Sequence, residues 1–209
     1  LKPVLSTNLD MNLEWYFMPR GLLSVGVFGM DLKDYIAFDV QTRMLYSELT
    51  NQLEAYEVAA PINTDGKVTG AEFTYEQPIG DNFGITANYT YANGRSSHTW
   101  EDGSHNLQGT SKNTYNLGAF FENDRFGARV SYTYRSAFLI SLSGANPYYQ
   151  DDFGTLSASL SYKATDWLSI SLDGLNLNNP TFKYYQSATI PTSFYSNGRQ
   201  YYLNLRFKY

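Results

Sequence analysis

Tyr201-Tyr202-Leu203-Asn204-Leu205-Arg206-Phe207-Lys208-Tyr209 is the stretch whose reading decides the fold. Taken at every second residue it gives Tyr201, Leu203, Leu205, Phe207 and Tyr209 on one side, and Tyr202, Asn204, Arg206 and Lys208 on the other. An extended strand sends alternate side chains to opposite faces, so this segment has one greasy face and one wet, charged face. A soluble β-sandwich strand satisfies the same alternation. The apolar face is aromatic at both ends, which is what a membrane strand shows where it crosses the lipid–water interfaces.

Composition sets the outer bounds. Of 209 residues, 17% are aromatic and only 17% charged. No apolar run approaches the ~18 residues that a transmembrane helix needs. A transmembrane β-strand is only half apolar, so a mildly negative mean hydropathy does not argue against a membrane barrel. Cysteine is absent, which removes disulfides and thiolate metal sites. A net charge of −5 offers no basic footprint for nucleic acid.

The alternation recurs along the chain. Leu9 to Phe17 reads as a strand, closed by Met18-Pro19-Arg20-Gly21, and a second strand runs from Leu23 towards Val40. Residues 41–66 contain Ala60-Pro61 and Asp65-Gly66 and are expected to be a long connection with some strand in it. Strands are then predicted over 68–77, 83–91, 115–121, 126–135, 156–163, 168–176 and 201–209. Short turns fall at 78–82, 123–125 and 164–166, and long loops at 93–111, 136–150 and 177–197. About nine strands result, with tight turns at one end and long loops at the other, as in outer-membrane barrels. The fold class is therefore all-β, an antiparallel transmembrane barrel. Nine is odd, closed single-chain bacterial barrels are even, and an open edge is costly in lipid. The simplest resolution is that residues 1–209 form the C-terminal part of a larger barrel.

Several motifs also resemble a known family. Leu1-Lys2-Pro3, Ser6-Thr7-Asn8-Leu9-Asp10 and Leu13-Glu14-Trp15-Tyr16-Phe17 resemble a mid-barrel signature of TonB-dependent outer-membrane receptors. Val68-Thr69-Gly70-Ala71-Glu72-Phe73 is similar to another of their strands, and Asp173-Gly174-Leu175-Asn176-Leu177-Asn178-Asn179-Pro180 to their penultimate one. The aromatic ending resembles the signal read by the barrel-assembly machinery, which makes Phe207 and Tyr209 the assembly residues. The likeness is greatest to the subgroup from Xanthomonas- and Caulobacter-like bacteria. It implies the last nine strands of a 22-stranded barrel, the plug and its TonB box lying outside this sequence. It further implies residence in the outer membrane of a Gram-negative bacterium, among lipid and lipopolysaccharide. Uptake would be energised by the TonB–ExbB–ExbD complex acting on the plug.

The ligand is expected to be an oligosaccharide, with a siderophore or other metal chelate, or passive porin-like diffusion, as the alternatives. Sugar rings stack on aromatic faces, so loop residues Trp100, Tyr148, Tyr149, Tyr184 and Tyr185 are the candidate binding groups. Interface girdle or loop packing is the competing role for such tyrosines. Glu72, Glu76, Arg129, Arg135 and Arg206, with Lys208, share the polar side of their strands and are expected to face the barrel lumen. There they would contact the plug, line the path, or pair across strands. His98 and His105 sit in one flexible, glycine-containing loop and form no catalytic or metal pattern. No enzyme activity, metal or cofactor is expected.

Overall fold

The computed structural model describes residues 1–143, 146–187 and 190–208. Nine long strands carry the frame: β1 Leu5–Met18, β2 Gly21–Ser47, β3 Gln52–Ile79, β4 Phe83–Ser96, β5 Asn113–Glu122, β6 Phe126–Arg135, β9 Phe153–Lys163, β10 Leu168–Leu175 and β13 Gln200–Phe207. Four short strands lie between them: β7 Phe138–Ser143, β8 Asn146–Gln150, β11 Phe182–Ser187 and β12 Ile190–Tyr195. The long strands make one antiparallel sheet in the order β1-β2-β3-β4-β5-β6-β9-β10-β13. The short ones make a second sheet, β12-β11-β8-β7.

The register brings like residues together on each face. One row of cross-strand partners runs Asn12, Gly26, Glu72, Thr90, Thr114, Arg135. A row three residues away, on the opposite face, runs Trp15, Leu23, Tyr75, Ala87, Leu117, Tyr132, Leu156. Further along, Leu160, Leu172 and Leu203 continue the apolar side, and Ser161, Ser171 and Asn204 the polar one. A one-residue slip in any strand would exchange the faces, so the alternation itself enforces this pairing. The apolar face is bounded by rings at both ends. Phe83–Phe121, Phe126–Tyr162 and Trp167–Phe207 lie at the turn end, and Tyr115 stacks on Tyr134 at 4.8 Å at the other.

On the polar face two large rings have a mechanical role. Phe28 lies opposite Gly70 and Phe120 opposite Gly84, and each ring occupies the place where a Cβ on its glycine would stand. An aromatic laid over a strand glycine restores the packing that the missing side chain gives up.

Short turns close the sheet at one end, each with its own chemistry. Arg20 and Gly80 take positive φ, 64° and 63°. The Asn123 side-chain oxygen accepts the N–H groups of Arg125 and Phe126. The Thr165 hydroxyl accepts those of Trp167 and Leu168. Such local bonds are the reason Asn and Thr suit these positions.

The far end departs from expectation twice. Residues 41–66 are not a connection. The β2–β3 ladder continues without a break from Tyr35–Thr64 to Ser47–Gln52, giving a two-stranded ribbon well beyond the rest of the sheet. Pro61 is tolerated because β4 pairs with β3 only from Gly66 onward, so an edge strand needs no N–H there. A bulge at Leu32/Tyr35 starts the ribbon: Asp34 has φ 54°, its carbonyl accepts from Asn63 Nδ2, and its N–H donates to Asp65 Oδ1. The stretches 136–150 and 177–197 likewise hold the four short strands rather than unstructured loops.

Candidate functional site: the loop assembly above the sheet

The buried core of the chain lies above the sheet rather than within it. Ala37 of the ribbon, Trp100 of the β4–β5 loop and Leu139 of β7 form one cluster, with Tyr35, Ile62 and Tyr149 packed around it. Three segments far apart in sequence are thereby joined. Gly109 N–H donates to the Leu139 carbonyl at 2.8 Å, which fixes the β4–β5 loop against β7.

Trp100, expected to be an exposed ligand-stacking ring, is 3% exposed. Its indole N–H donates to the Asn106 carbonyl at 2.8 Å, and His98 meets its ring edge-on at 4.7 Å. Exposure is thus the part of that reading that needs correction: the side chain is a keystone of the loop core. His98 Nε2 lies 3.0 Å from Asp39 Oδ2 and ties loop to ribbon.

The tyrosine pairs fall on two sides of the small sheet. Tyr149 stacks on Tyr185 at 5.5 Å, and its hydroxyl donates to Asp102 Oδ2 at 2.5 Å while Asn106 Nδ2 donates to it at 3.3 Å. Burial pushes the Asp102 carboxyl up, but the hydrogen bonds from Tyr149 and Ser104 outweigh it and hold the group below the usual carboxylate range. Burial and the same carboxylate raise the Tyr149 phenol, which keeps its proton as the donor. This side is bound into the core. Consecutive strand residues point oppositely, and Tyr148 and Tyr184 accordingly form a separate stack at 5.7 Å. Tyr195 meets Tyr184 edge-on at 5.5 Å and is 57% exposed, and Ser193 lies 3.2 Å from the Tyr148 hydroxyl. In that second ladder Tyr148 and Tyr184 are half-buried and Tyr195 is open to solvent.

The charged strand residues separate in the same way. Glu72, Glu76, Arg129 and Arg206 lie on the polar face, opposite Gly26, Leu22, Phe120 and Ser169 respectively. None of the four joins an ion pair with a described residue, and the Arg129 guanidinium lies over the ring of its cross-strand partner Phe120, 5.8 Å from its centre. Lys208, next to β13, is exposed, and its N–H donates to the Trp167 carbonyl. Arg135 differs: its guanidinium donates to Ser111 Oγ and the Gly109 carbonyl and lies 3.7 Å from the Phe138 ring centre. It closes the loops instead of projecting free. Phe207 stacks on Trp167. Tyr209 lies outside the described residues. Sequence reasoning missed Asp39, Asp102 and Asn106, whose partners lie 43 to 59 residues away in the chain.

The family profile described as "TonB dependent receptor-like, beta-barrel" matches residues 1–179. No relative among curated protein sequences matches the chain. Among solved structures, the copper transporter OprC superposes with TM-score 0.70 at 17% identity, over 99% of this chain and 31% of that one. The ferric enterobactin receptor PfeA of Pseudomonas aeruginosa gives 0.67 at 16%, over 99% and 31%. The ferric-catecholate import receptor Fiu of E. coli K12 gives 0.64 at 16%, over 87% and 24%. The chain thus spans about a third or less of the receptors it superposes on. With a profile matched across most of its length and a sheet that superposes on these barrels, the chain belongs to the TonB-dependent receptor β-barrel family.

Proposed function

We propose that residues 1–209 form the last nine strands of a 22-stranded barrel in the outer membrane of a Gram-negative bacterium, and that the whole receptor imports a ligand with TonB-supplied energy. The observation that carries this reading is the family match over residues 1–179, on a sheet with one polar face and one ring-bounded apolar face. Among the described residues β1 pairs only with β2 and β13 only with β10, and each unsatisfied backbone group on an open edge costs several kcal/mol in lipid, so other strands complete the wall. Glu72, Glu76, Arg129 and Arg206 on the polar face then look into the lumen and meet the plug, through which TonB–ExbB–ExbD acts. The barrel-assembly machinery inserts the receptor, and it performs no catalysis. Placement in the Xanthomonas/Caulobacter subgroup rests on the sequence motifs alone.

The similar barrels are a copper transporter and receptors for ferric chelates, which favours a metal chelate as the ligand. The oligosaccharide expectation finds no support among them. It is kept as a second reading on one observation, the Tyr148–Tyr184–Tyr195 ladder, open to solvent at Tyr195, whose rings and hydroxyls suit a sugar. Radiolabelled uptake by cells carrying the full-length receptor tests both readings. Transport of ferric or copper chelates that stops when TonB is deleted supports the first, and TonB-dependent transport of oligosaccharides alone supports the second. Equal flux with and without TonB would sink active import in favour of passive diffusion.

A further inference from the structure

Beyond the bulge at Leu32/Tyr35 the β2–β3 ribbon has two unlike faces. Side chains alternate along each strand, so Tyr35, Ala37 and Asp39 share one side with their partners Thr64, Ile62 and Ala60. That side is occupied: Ala37 clusters with Trp100 and Leu139, Ile62 packs against the cluster, and Asp39 reaches His98. Ile36, Phe38 and Val40 share the other side with Asn63, Pro61 and Ala59. Phe38 is 51% exposed, and Ile36, Ala59 and Pro61 are exposed as well. These residues and Val40 make an apolar patch without a charged side chain, on a strand pair standing beyond the rest of the sheet. Contiguous exposed apolar surface of this kind marks a contact.

The chain entering β1 is held at the foot of that patch. Asn63, on the same side of the ribbon, accepts the Lys2 N–H on its side-chain oxygen at 2.7 Å, and its Nδ2 donates to the Lys2 carbonyl at 3.1 Å. One amide thus meets both backbone groups of Lys2, as a neighbouring strand would. The same Nδ2 donates to the Asp34 carbonyl at 2.7 Å, and the Lys2 amine lies 3.7 Å from Asp34 Oδ1, which anchors the clamp on the bulge. The β1–β2 ladder ends at Leu5–Lys33, and Asn63 belongs to β3, which is not a neighbour of β1 in the sheet. Residues 1–4 have therefore left the line of β1 and turned towards β3. Leu1 and Val4 are exposed apolar residues on this path.

We infer that the segment immediately upstream of Leu1 lies across this face of the ribbon and covers Ile36, Phe38, Val40 and Pro61 with apolar side chains of its own. The inference rests on the reading above that further strands precede β1 in the full receptor. The chain before β1 is then a loop at the same end of the wall as the ribbon. At ~3.3 Å per residue the patch from Ile36 to Val40 is about 13 Å long, so about five extended residues span it. The Asn63 clamp favours this occupant over lipid or a second receptor copy, because it already delivers the chain to the face. A tethered segment acts at an effective concentration near millimolar, which a second copy does not match. The cover also has a mechanical use. A two-stranded ribbon is marginal alone in water, and this one is then held from both sides, by the Trp100 cluster and by the upstream loop.

The test uses the full-length receptor carrying Phe38→benzoylphenylalanine, irradiated in outer-membrane fragments, with adducts mapped by mass spectrometry. Adducts to the loop residues just before Leu1 are expected. Leu49→benzoylphenylalanine, at the exposed ribbon tip, is expected to give none. Adding Asn63→Leu to the Phe38 variant is expected to lower the yield about tenfold, the weight of one or two hydrogen bonds. Adducts to lipid alone make the patch a lipid contact, adducts to a second copy make it a self-association surface, and none at all leaves it open to solvent; each overturns the inference. Equal adducts from the Leu49 position overturn a cover specific to the patch, and an unchanged yield with Asn63→Leu overturns the clamp as its guide. A receptor that fails to fractionate with the outer membrane in heat-modifiable form refutes the barrel reading beneath, an outcome distinct from all of these.

Discussion

Replacing Trp100 by alanine distinguishes a loop keystone from a ligand contact. The ring is 3% exposed, packs with Ala37 and Leu139, and holds the Asn106 carbonyl through its N–H. Truncating a buried aromatic of this kind costs about 3–5 kcal/mol, part of it the unpaired acceptor left behind. Even 4 kcal/mol is close to a thousandfold in an opening equilibrium, more than a surface loop holds in reserve. The expected result is that residues 97–112 open outright while the sheet stays formed. Hydrogen exchange read by mass spectrometry on the full-length receptor checks this. The amides of Trp100, Gly103 and Gly109, bonded to Ser104, Trp100 and Leu139, should lose protection in Trp100→Ala, and those of β9 and β10 should keep it. Trp100→Phe keeps most of the ring packing and gives up the indole hydrogen bond, leaving the Asn106 carbonyl unpaired at a cost of about 1–3 kcal/mol, so the loop should open less than in Trp100→Ala. If Trp100→Ala weakens ligand binding while protection over 97–112 is unchanged, the keystone reasoning is refuted and the indole touches ligand directly.

Four other predictions follow from the same geometry. Leu205→Arg places a cation on the apolar face at about 2–4 kcal/mol near a bilayer midplane and should lower the heat-modifiable, assembled receptor, whereas Asn204→Arg on the polar face should not. Gly84→Val, whose side chain would collide with the Phe120 ring, should reduce assembly, and pairing it with Phe120→Ala should restore it in part. Because the Asp102 carboxyl is held below its ordinary value, its contribution to the loop is complete at neutral pH and is lost only as pH falls through that depressed value. Tyr149→Phe should move this loss to higher pH, seen as the midpoint of exchange protection at Ser104. Finally, Tyr148→Ala with Tyr184→Ala should weaken ligand binding without changing the protection of 97–112, and unchanged affinity would remove that ladder from the site.

Period-two alternation over Tyr201–Phe207, Phe83–Tyr91 and Phe126–Tyr134 is enough to determine strands and faces, because burial of one face in a β-sheet is written directly into every second residue. The short turns were legible for a similar reason: Pro19, Gly80, Asn123 and Thr165 act on their immediate neighbours. What lay above the sheet was not legible. Pro61 looks like a breaker until it is known that β3 is an edge there, a fact about where β4 stops. Trp100 looks like an exposed loop aromatic until Ala37 and Leu139 close over it, 63 residues before and 39 residues after it in the chain. The division of the four tyrosines into two stacks, one tied to the loop core through Tyr149, and the opposition of Lys67 to Arg95 likewise depend on which strands become neighbours. Local alternation specifies a surface, and only long-range pairing decides what that surface is set against.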